Sequence, residues 1–170
     1  MKSPKIKTLK ELSKTIKKLK MGGKKIALIT GCFDVLHIGH IKLFRFAKKN
    51  SDIVIVGLDS DMTIQASKGK NRPVNKVFVR SDQLSELESI DFIFHFKTIL
   101  GYGERELDAY HEEIYRILKP NYLITNPKAD SFWKKKEKRV KKFGIRLLKD
   151  SRPRSNTSSH IITRILERDL

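Results

Sequence analysis

The sequence predicts an α/β protein: a single doubly wound domain built on a mainly parallel sheet of about five strands. Short apolar runs alternate along the chain with segments of helical periodicity, as in repeated βαβ units. The length of 170 residues fits one domain, and no repeat or linker divides it. We therefore assign residues 1–170 to one domain, with an amphipathic helical segment at 1–23, a core at 24–150, and a turn with a final helix at 151–170.

Five short apolar runs predict the strands. In chain order they are residues 25–30, 53–57, 92–96, 122–125 and 145–148. Runs this short match buried strands better than helices, which commonly need ten or more residues. Because helical segments lie between them, we expect neighbouring strands to be parallel.

Helical periodicity fills the intervals between these strands. The predicted helices are residues 9–19, 38–49, 80–89, 107–117, 131–143 and 157–168, with one helical turn over 59–66. Gly22-Gly23 ends the first helix and Pro120 stops the fourth. The helix over 131–143 is very basic; we interpret Phe132 and Trp133 at its start as core anchors rather than base-stacking groups.

The composition indicates the cellular location of the protein and the kinds of partner that it can bind. A net charge of +18, from 37 Lys+Arg against 19 Asp+Glu, attracts anions of any kind. We interpret most of this charge as solvated surface, and expect no nucleic-acid partner. The single cysteine excludes an internal disulfide framework, and no apolar run could cross a bilayer. With no secretory signal at residues 1–10, these features predict a cytoplasmic protein without a membrane partner.

The stretch from Gly31 to His40, GCFDVLHIGH, is the most informative part of the chain. It lies where the first strand becomes a helix, an edge of open α/β sheets at which ligands bind and phosphates meet helix N-termini. His37 and His40 lie on one side of the first helical turn, and Gly39 leaves room for a nucleotide over the helix end. Imidazoles there could donate to charge that builds on a transferring phosphoryl group, with Asp34 as an orienting or metal-side carboxylate.

The histidine pair could instead form a structural cap or part of a metal site. A zinc site is disfavoured because no third ligand stands at a recognisable spacing, so we predict no protein-held metal.

GCFDVLHIGH resembles the signature of the cytidylyltransferase-like nucleotidyltransferases, which have a Rossmann-like domain and act on NTPs. The similarity continues through Lys68-Gly69, the segment 72–75 (RPVN) and Arg80, as in the adenylyltransferase domain of ADP-heptose synthases. The final segment, 152–162 (RPRSNTSSHII), is similar to the family's phosphate-binding element. These pieces occur in the family's order over most of the chain.

The resemblance implies roles for individual residues. His37 and His40 would stabilise the transition state, and Lys68 would neutralise phosphate charge. The residues implied to contact the nucleotide or its phosphates are Gly31, Cys32, Phe33, Asp34, Gly39, Arg80, Arg152, Thr157, Ser158 and Ser159. Arg72 and Asn126 are candidates for the acceptor, although Arg72 could equally be a turn residue. Mg²⁺ is expected to accompany the NTP, and a homodimer is the expected assembly.

The loop at 125–130 departs from the Lys-Gly-Gly-Asp-Tyr pattern of the heptose enzymes, and Thr30 replaces the usual asparagine. The expected function is nucleotidyl transfer, with ATP favoured, to a phosphorylated small molecule such as a sugar phosphate. Open alternatives are a cytidylyltransferase acting on glycerol 3-phosphate or a phospho-alcohol, an FAD-synthetase-like adenylyltransferase, and a non-catalytic nucleotide- or RNA-binding protein.

Overall fold

The computed structural model describes residues 3–97, 104–153 and 157–167. Among them are five strands, which are β1 Ile26–Gly31, β2 Ile53–Leu58, β3 Phe92–His95, β4 Tyr122–Thr125 and β5 Arg146–Lys149. The helices of the described part are α1 Leu9–Met21, α2 Ile38–Asn50, α3 Asp61–Lys68, α4 Val77–Ser85, α5 Glu104–Leu118, α6 Trp133–Lys141 and α7 Ser158–Leu166. None of these helices is long and apolar enough to cross a bilayer.

The strands form one sheet in the order β3-β2-β1-β4-β5, and every neighbouring pair is parallel. The predicted doubly wound α/β fold is therefore confirmed. Strand order reverses between β1 and β4, because the chain first adds strands on one side of β1 and then on the other. In such sheets ligands bind outside the carboxyl ends of the strands at this reversal.

Helices cover both faces of the sheet, and each face has its own apolar core. On one face α1 and α5 bury Leu12 and Ile114 against Leu28. On the other face α2 and α4 bury Phe44 and Leu84. Alternate residues of β1 point to opposite faces, as the pleat requires, which explains why its apolar run is continuous.

The main difference from the predicted elements concerns α4. The helix spans Val77–Ser85 instead of 80–89. Leu87 and Ile90 still reach the core, through turns in which Leu87 N donates to Leu84 O (3.1 Å) and Ile90 N donates to Leu87 O (3.1 Å). Two successive turns thus keep the apolar spacing that the sequence pattern attributes to a helix.

The aromatic pair at the start of α6 does not form a core anchor as predicted. Phe132 is 65 % exposed. Trp133 is half-buried, and Lys149 Nζ lies 4.3 Å from the centre of one of its rings. The helix instead anchors through Arg139 and Val140, which are buried at its carboxyl end.

Candidate active site

A cavity of about 210 Å³ lies at the carboxyl edge of the sheet, beside the reversal between β1 and β4. Several segments that are distant in the sequence contribute to it: the start of α2, the end of α3, the loops after β4 and β5, and the start of α7. The described residues lining it are His37, Gly39, His40, Lys42, Leu43, Lys68, Asn126, Ala129, Asp150, Arg152, Pro153, Thr157, Ser158 and Ser159. The structure thus brings together residues predicted from separate motifs, namely His37, Gly39, His40, Lys68, Asn126, Arg152, Thr157, Ser158 and Ser159.

His37 is the N-cap of α2, and its Nδ1 accepts a hydrogen bond from Gly39 N at 3.1 Å. An accepting nitrogen carries no proton, so the neutral imidazole must hold its proton on Nε2. The cap therefore selects the tautomer. The roles of structural cap and of hydrogen-bond donor to a ligand are compatible in this ring, since one nitrogen caps and the other keeps an N–H.

His40 stacks on His37, with ring centres 3.8 Å apart and planes inclined by 25°. Phe33 packs behind it edge-on, at 5.1 Å between ring centres. Burial, followed by electrostatic repulsion from His37 and Lys68, lowers the pKa of His40 to about 3. His40 is therefore a neutral imidazole at physiological pH and can donate or accept only through its neutral form.

The cavity is electropositive. Among the described residues that line it, the cationic side chains are Lys42, Lys68 and Arg152, and Asp150 is the one carboxylate. Lys68 is an exposed residue in the last turn of α3, and the N-terminus of α7 adds the positive end of a helix dipole. Such a combination of charges favours a polyanion.

Asp150 is a site residue that the sequence patterns do not reveal. It is 3 % exposed, and its two carboxylate oxygens accept from Arg152 Nε and Nη2, both at 2.7 Å. Arg152 Nη2 also donates to the Lys42 carbonyl at 2.6 Å. The one signal for it in the sequence is an aspartate directly after the last strand, at the edge where ligands bind. Asp150 fixes the direction of the Arg152 guanidinium, the predicted phosphate ligand.

The hydroxyls at the start of α7 are largely committed to the fold. Thr157 Oγ1 caps the helix by accepting from His160 N at 3.1 Å. Ser158 Oγ donates to the Val35 carbonyl at 2.8 Å, which ties α7 to the loop after β1. A phosphate at this end would thus meet the helix amides more readily than the Thr157 and Ser158 hydroxyls.

Arg80 does not line the cavity, and its predicted contact with phosphate oxygens is not supported. It is 0 % exposed. Its guanidinium donates to the carbonyls of Asn75 (3.0 Å), Cys32 (2.6 Å) and Asp59 (2.8 Å), and to Asp61 Oδ1 at 2.7 Å. The bidentate geometry that suggests a phosphate ligand instead joins three loops at the carboxyl edge.

Asp34 and Arg72 likewise contact each other instead of the cavity. Arg72 Nε donates to Asp34 Oδ2 at 2.8 Å, and the amides of Val74 (3.0 Å) and Asn75 (2.8 Å) donate to the same carboxylate. Burial acts to raise the pKa of Asp34, but the backbone amides of Asn75 and Val74 and the Arg72 guanidinium outweigh it and lower the pKa. Asp34 therefore holds the loop after α3 in place, and neither Asp34 nor Arg72 lines the cavity. The roles of Asp34 at the nucleotide or metal and of Arg72 in acceptor binding stay predictions.

The remaining motif residues support the site from behind. The Phe33 ring approaches to 3.2 Å of where a Cβ on Gly31 would stand, so a side chain at Gly31 would displace the ring that backs His40. Burial, followed by repulsion from Asp59, raises the pKa of Cys32 to about 12. The thiol stays protonated and donates to Asp59 at 3.3 Å. Gly31, Cys32 and Phe33 thus shape the loop, and none of them lines the cavity.

Comparison with known proteins identifies sequence relatives. The cytidylyltransferase-like family model matches residues 28–165. The bifunctional protein HldE of Sulfurimonas denitrificans is 37% identical over 119 residues, which are 70% of this chain and 23% of that protein. HldE of Campylobacter jejuni subsp. jejuni serotype O:6 is 44% identical over 118 residues, 69% of this chain and 23% of that protein. The chain thus spans about a quarter of the length of these relatives.

Solved structures share the fold at lower identity. A lipopolysaccharide core biosynthesis protein from Thermoplasma volcanium superposes with a TM-score of 0.59 at 22% identity, covering 78% of this chain and 100% of that one. The pantoate–β-alanine ligase of Francisella tularensis, solved with β,γ-ATP and β-alanine, gives a TM-score of 0.66 at 18% identity, covering 97% and 78%. At these identities the likeness extends to the fold alone.

Proposed function

The chain belongs to the cytidylyltransferase-like family of nucleotidyltransferases, and from this membership we propose that it transfers an adenylyl group from ATP to a phosphorylated small molecule such as a sugar phosphate. The observation that carries the proposal is the cavity itself. Two stacked imidazoles, an exposed lysine, an oriented arginine and a helix N-terminus line one space.

The proposed reaction needs positioned charge more than a protein nucleophile. An acceptor phosphate oxygen attacks the α-phosphorus of ATP; the new P–O bond forms as the bond to the bridging β-oxygen breaks, and pyrophosphate leaves. His37 Nε2–H donates to an α-phosphate oxygen as charge builds there. Lys68 neutralises that charge, while Arg152 and the N-terminus of α7 hold the β- and γ-phosphates.

Mg²⁺ fits this proposal as a companion of the triphosphate. No group of three or more His, Cys, Asp or Glu among the described residues could cage a metal ion. Asp150, the carboxylate of the described lining, is already bound to Arg152. Mg²⁺ commonly keeps several waters and binds phosphates, and when bound it would supply charge neutralisation on the triphosphate.

The loop after β4 is the candidate for recognising the nucleobase and the acceptor. The loop after β4 lines the cavity with Asn126 and Ala129. Asn126 Nδ2 donates to the Arg152 carbonyl at 3.2 Å, and its Oδ1 accepts from Lys128 N at 2.9 Å. We propose that this loop selects the nucleobase or acceptor.

The assembly of this chain into a homodimer stays a prediction.

The test is pyrophosphate release from ATP and from CTP, each with a sugar 1-phosphate, glycerol 3-phosphate and FMN, in the presence of Mg²⁺. We expect ATP with the sugar phosphate to be the fastest pair. A Lys68→Met variant, exposed and so expected to fold, should be far slower with every pair. Faster reaction with CTP and glycerol 3-phosphate, or with ATP and FMN, would replace the proposed substrates. A folded protein that releases no pyrophosphate from any pair would overturn nucleotidyl transfer.

The pKa of His40 gives a second test, independent of turnover. Its pKa of about 3 reflects burial beside positive charge. Phosphate oxygens in the cavity favour the protonated imidazole, so a non-hydrolysable ATP analogue should raise this pKa by about one unit or more. The measurement is an NMR titration of labelled histidine side chains with and without the analogue.

His111 provides an internal control for that titration. Burial, followed by the charges of Arg139 and Lys136, lowers its pKa to about 3 as well, but it packs against Phe96 and Tyr115 and does not line the cavity. Its pKa should stay unchanged. Equal shifts of both histidines would indicate a change of the whole fold, and no shift at His40 would contradict a phosphate beside it.

A further inference from the structure

A second cavity, of about 720 Å³, lies at the amino-terminal edge of the sheet. It is lined by the residues that begin β4 and β5, Tyr122 and Arg146, and by the carboxyl end of α5 with Arg116 and Lys119. The cavity that contains His37 lies at the opposite ends of these strands. The described linings of the two cavities share no residue, and the second contains none of the residues that the proposed transfer uses.

The charged side chains among the described residues that line this cavity are all positive. Its described lining contains the cations Lys20, Arg116, Lys119 and Arg146 and no carboxylate. Arg116 has an ion pair with Glu112 at 3.4 Å. Burial, followed by repulsion from Lys119, lowers the pKa of Lys20. The cations thus repel one another, and a bound anion would relieve that repulsion.

The helix ends near this cavity explain the position of only some of these cations. Helices α1, α5 and α6 end near this edge, and their carbonyl ends favour cations. Lys20 serves that purpose, because its ammonium donates to the Lys119 carbonyl just after α5. Lys119 and Arg146, however, form no ion pair with an acidic residue in the part of the chain that the structure describes. Within residues 3–97, 104–153 and 157–167, these two positive charges thus have no acidic counter-ion.

Aromatic rings form the walls between these charges. The Arg146 guanidinium lies 5.8 Å from the ring centre of Tyr122, and the Arg116 guanidinium lies 5.3 Å from that of Phe143. Buried Tyr115 packs against Phe143 at 5.8 Å. Alternating guanidinium planes and aromatic rings stack on nucleobases, while lysine and arginine beside them bind phosphate.

We propose that this second cavity binds a nucleotide unit, with its phosphate at Lys119 and Arg146 and its base against the Tyr122 wall. The volume is within the ordinary range for a small-molecule site. Such a unit could come from a free mononucleotide or from a single-stranded nucleic acid, which have the same recognition chemistry. The proposal is independent of nucleotidyl transfer at the other edge.

The test uses the full chain and two probes, a fluorescent AMP derivative and a labelled 12-nucleotide oligo(dT), followed by polarisation over a range of salt concentrations. The double variant Lys119→Glu/Arg146→Glu should bind at least about tenfold more weakly, and for the oligonucleotide the salt slope should fall by roughly 0.7, the loss expected for one phosphate contact to a single strand. Tyr122→Leu keeps the charge and should weaken binding about fivefold or more.

A matched control reverses two exposed lysines that line neither cavity, Lys10→Glu/Lys49→Glu, and should bind within about twofold of wild type. Circular-dichroism melts establish that all variants fold. If the test variant loses affinity for the AMP derivative alone, the cavity is a mononucleotide site. If it loses affinity for the oligonucleotide, the cavity is a single-strand site. The proposal fails if neither probe binds, if the control loses as much as the test variant, or if Tyr122→Leu binds normally.

Discussion

Replacing His37 and His40 together by alanine should lower kcat for nucleotidyl transfer by about a thousandfold or more while leaving ATP affinity within a few fold. One preorganised donor to developing charge is commonly worth about 10²–10³ in kcat. The two imidazoles stack at 3.8 Å and face one cavity, so we expect the loss from the pair to be less than the product of the single losses.

Because His37 is also the N-cap of α2, a second variant is needed to separate its capping role from its role as a donor. His37→Ala removes both the imidazole and the hydrogen bond to Gly39 N, so a loss of activity could come from a frayed α2. His37→Asn should retain the cap, because asparagine is among the preferred N-cap residues, and yet lose the Nε2–H donor. We therefore expect His37→Asn to melt near wild type and to be nearly as inactive as His37→Ala.

The measurements are steady-state pyrophosphate release, calorimetric binding of a non-hydrolysable ATP analogue, and thermal melts. Normal turnover by His37→Asn would mean that this histidine acts only as a cap. Parallel loss of binding and turnover in the double variant would assign both histidines to ground-state binding instead of the transition state.

The fold is predictable from the sequence because its signals are local. Five short apolar runs and the periodic segments between them determine a doubly wound sheet, and parallel strands place their loops at one edge. The motif around His37, Lys68 and the segment at Thr157 can therefore be expected to meet there, which the cavity lining shows for their positions. Their chemical roles stay predictions until variants are measured.

Contacts that depend on burial are not predictable in the same way. A charged residue in a motif can face the ligand or the fold, and spacing does not distinguish these cases. Asp34 accepts hydrogen bonds from the loop after α3, whereas Asp150 orients Arg152. Both are nevertheless aspartates that follow strands. The two roles depend on which neighbouring loop supplies donors, and that is a property of tertiary packing.

Arg80 gives the largest expected effect on stability. Arg80→Met should lower the free energy of unfolding by about 3–5 kcal/mol, because it leaves the Asp61 carboxylate and three loop carbonyls without their donor. Arg80→Lys keeps the charge, but an ammonium has only three donors and lacks the planar fork, so we expect an intermediate loss. Urea unfolding followed by circular dichroism measures both.

The exposed Arg45 on α2 is the matched control, and Arg45→Met should change the free energy of unfolding by less than about 0.5 kcal/mol. If Arg80→Met does not fold, Arg80→Lys still decides between a structural clamp and a phosphate ligand. A structural clamp predicts a lower unfolding midpoint with the KM for ATP changed little in the folded fraction. A phosphate ligand predicts the reverse, an unchanged midpoint with a raised KM, and that result would mean that Arg80 leaves its buried position when the nucleotide binds.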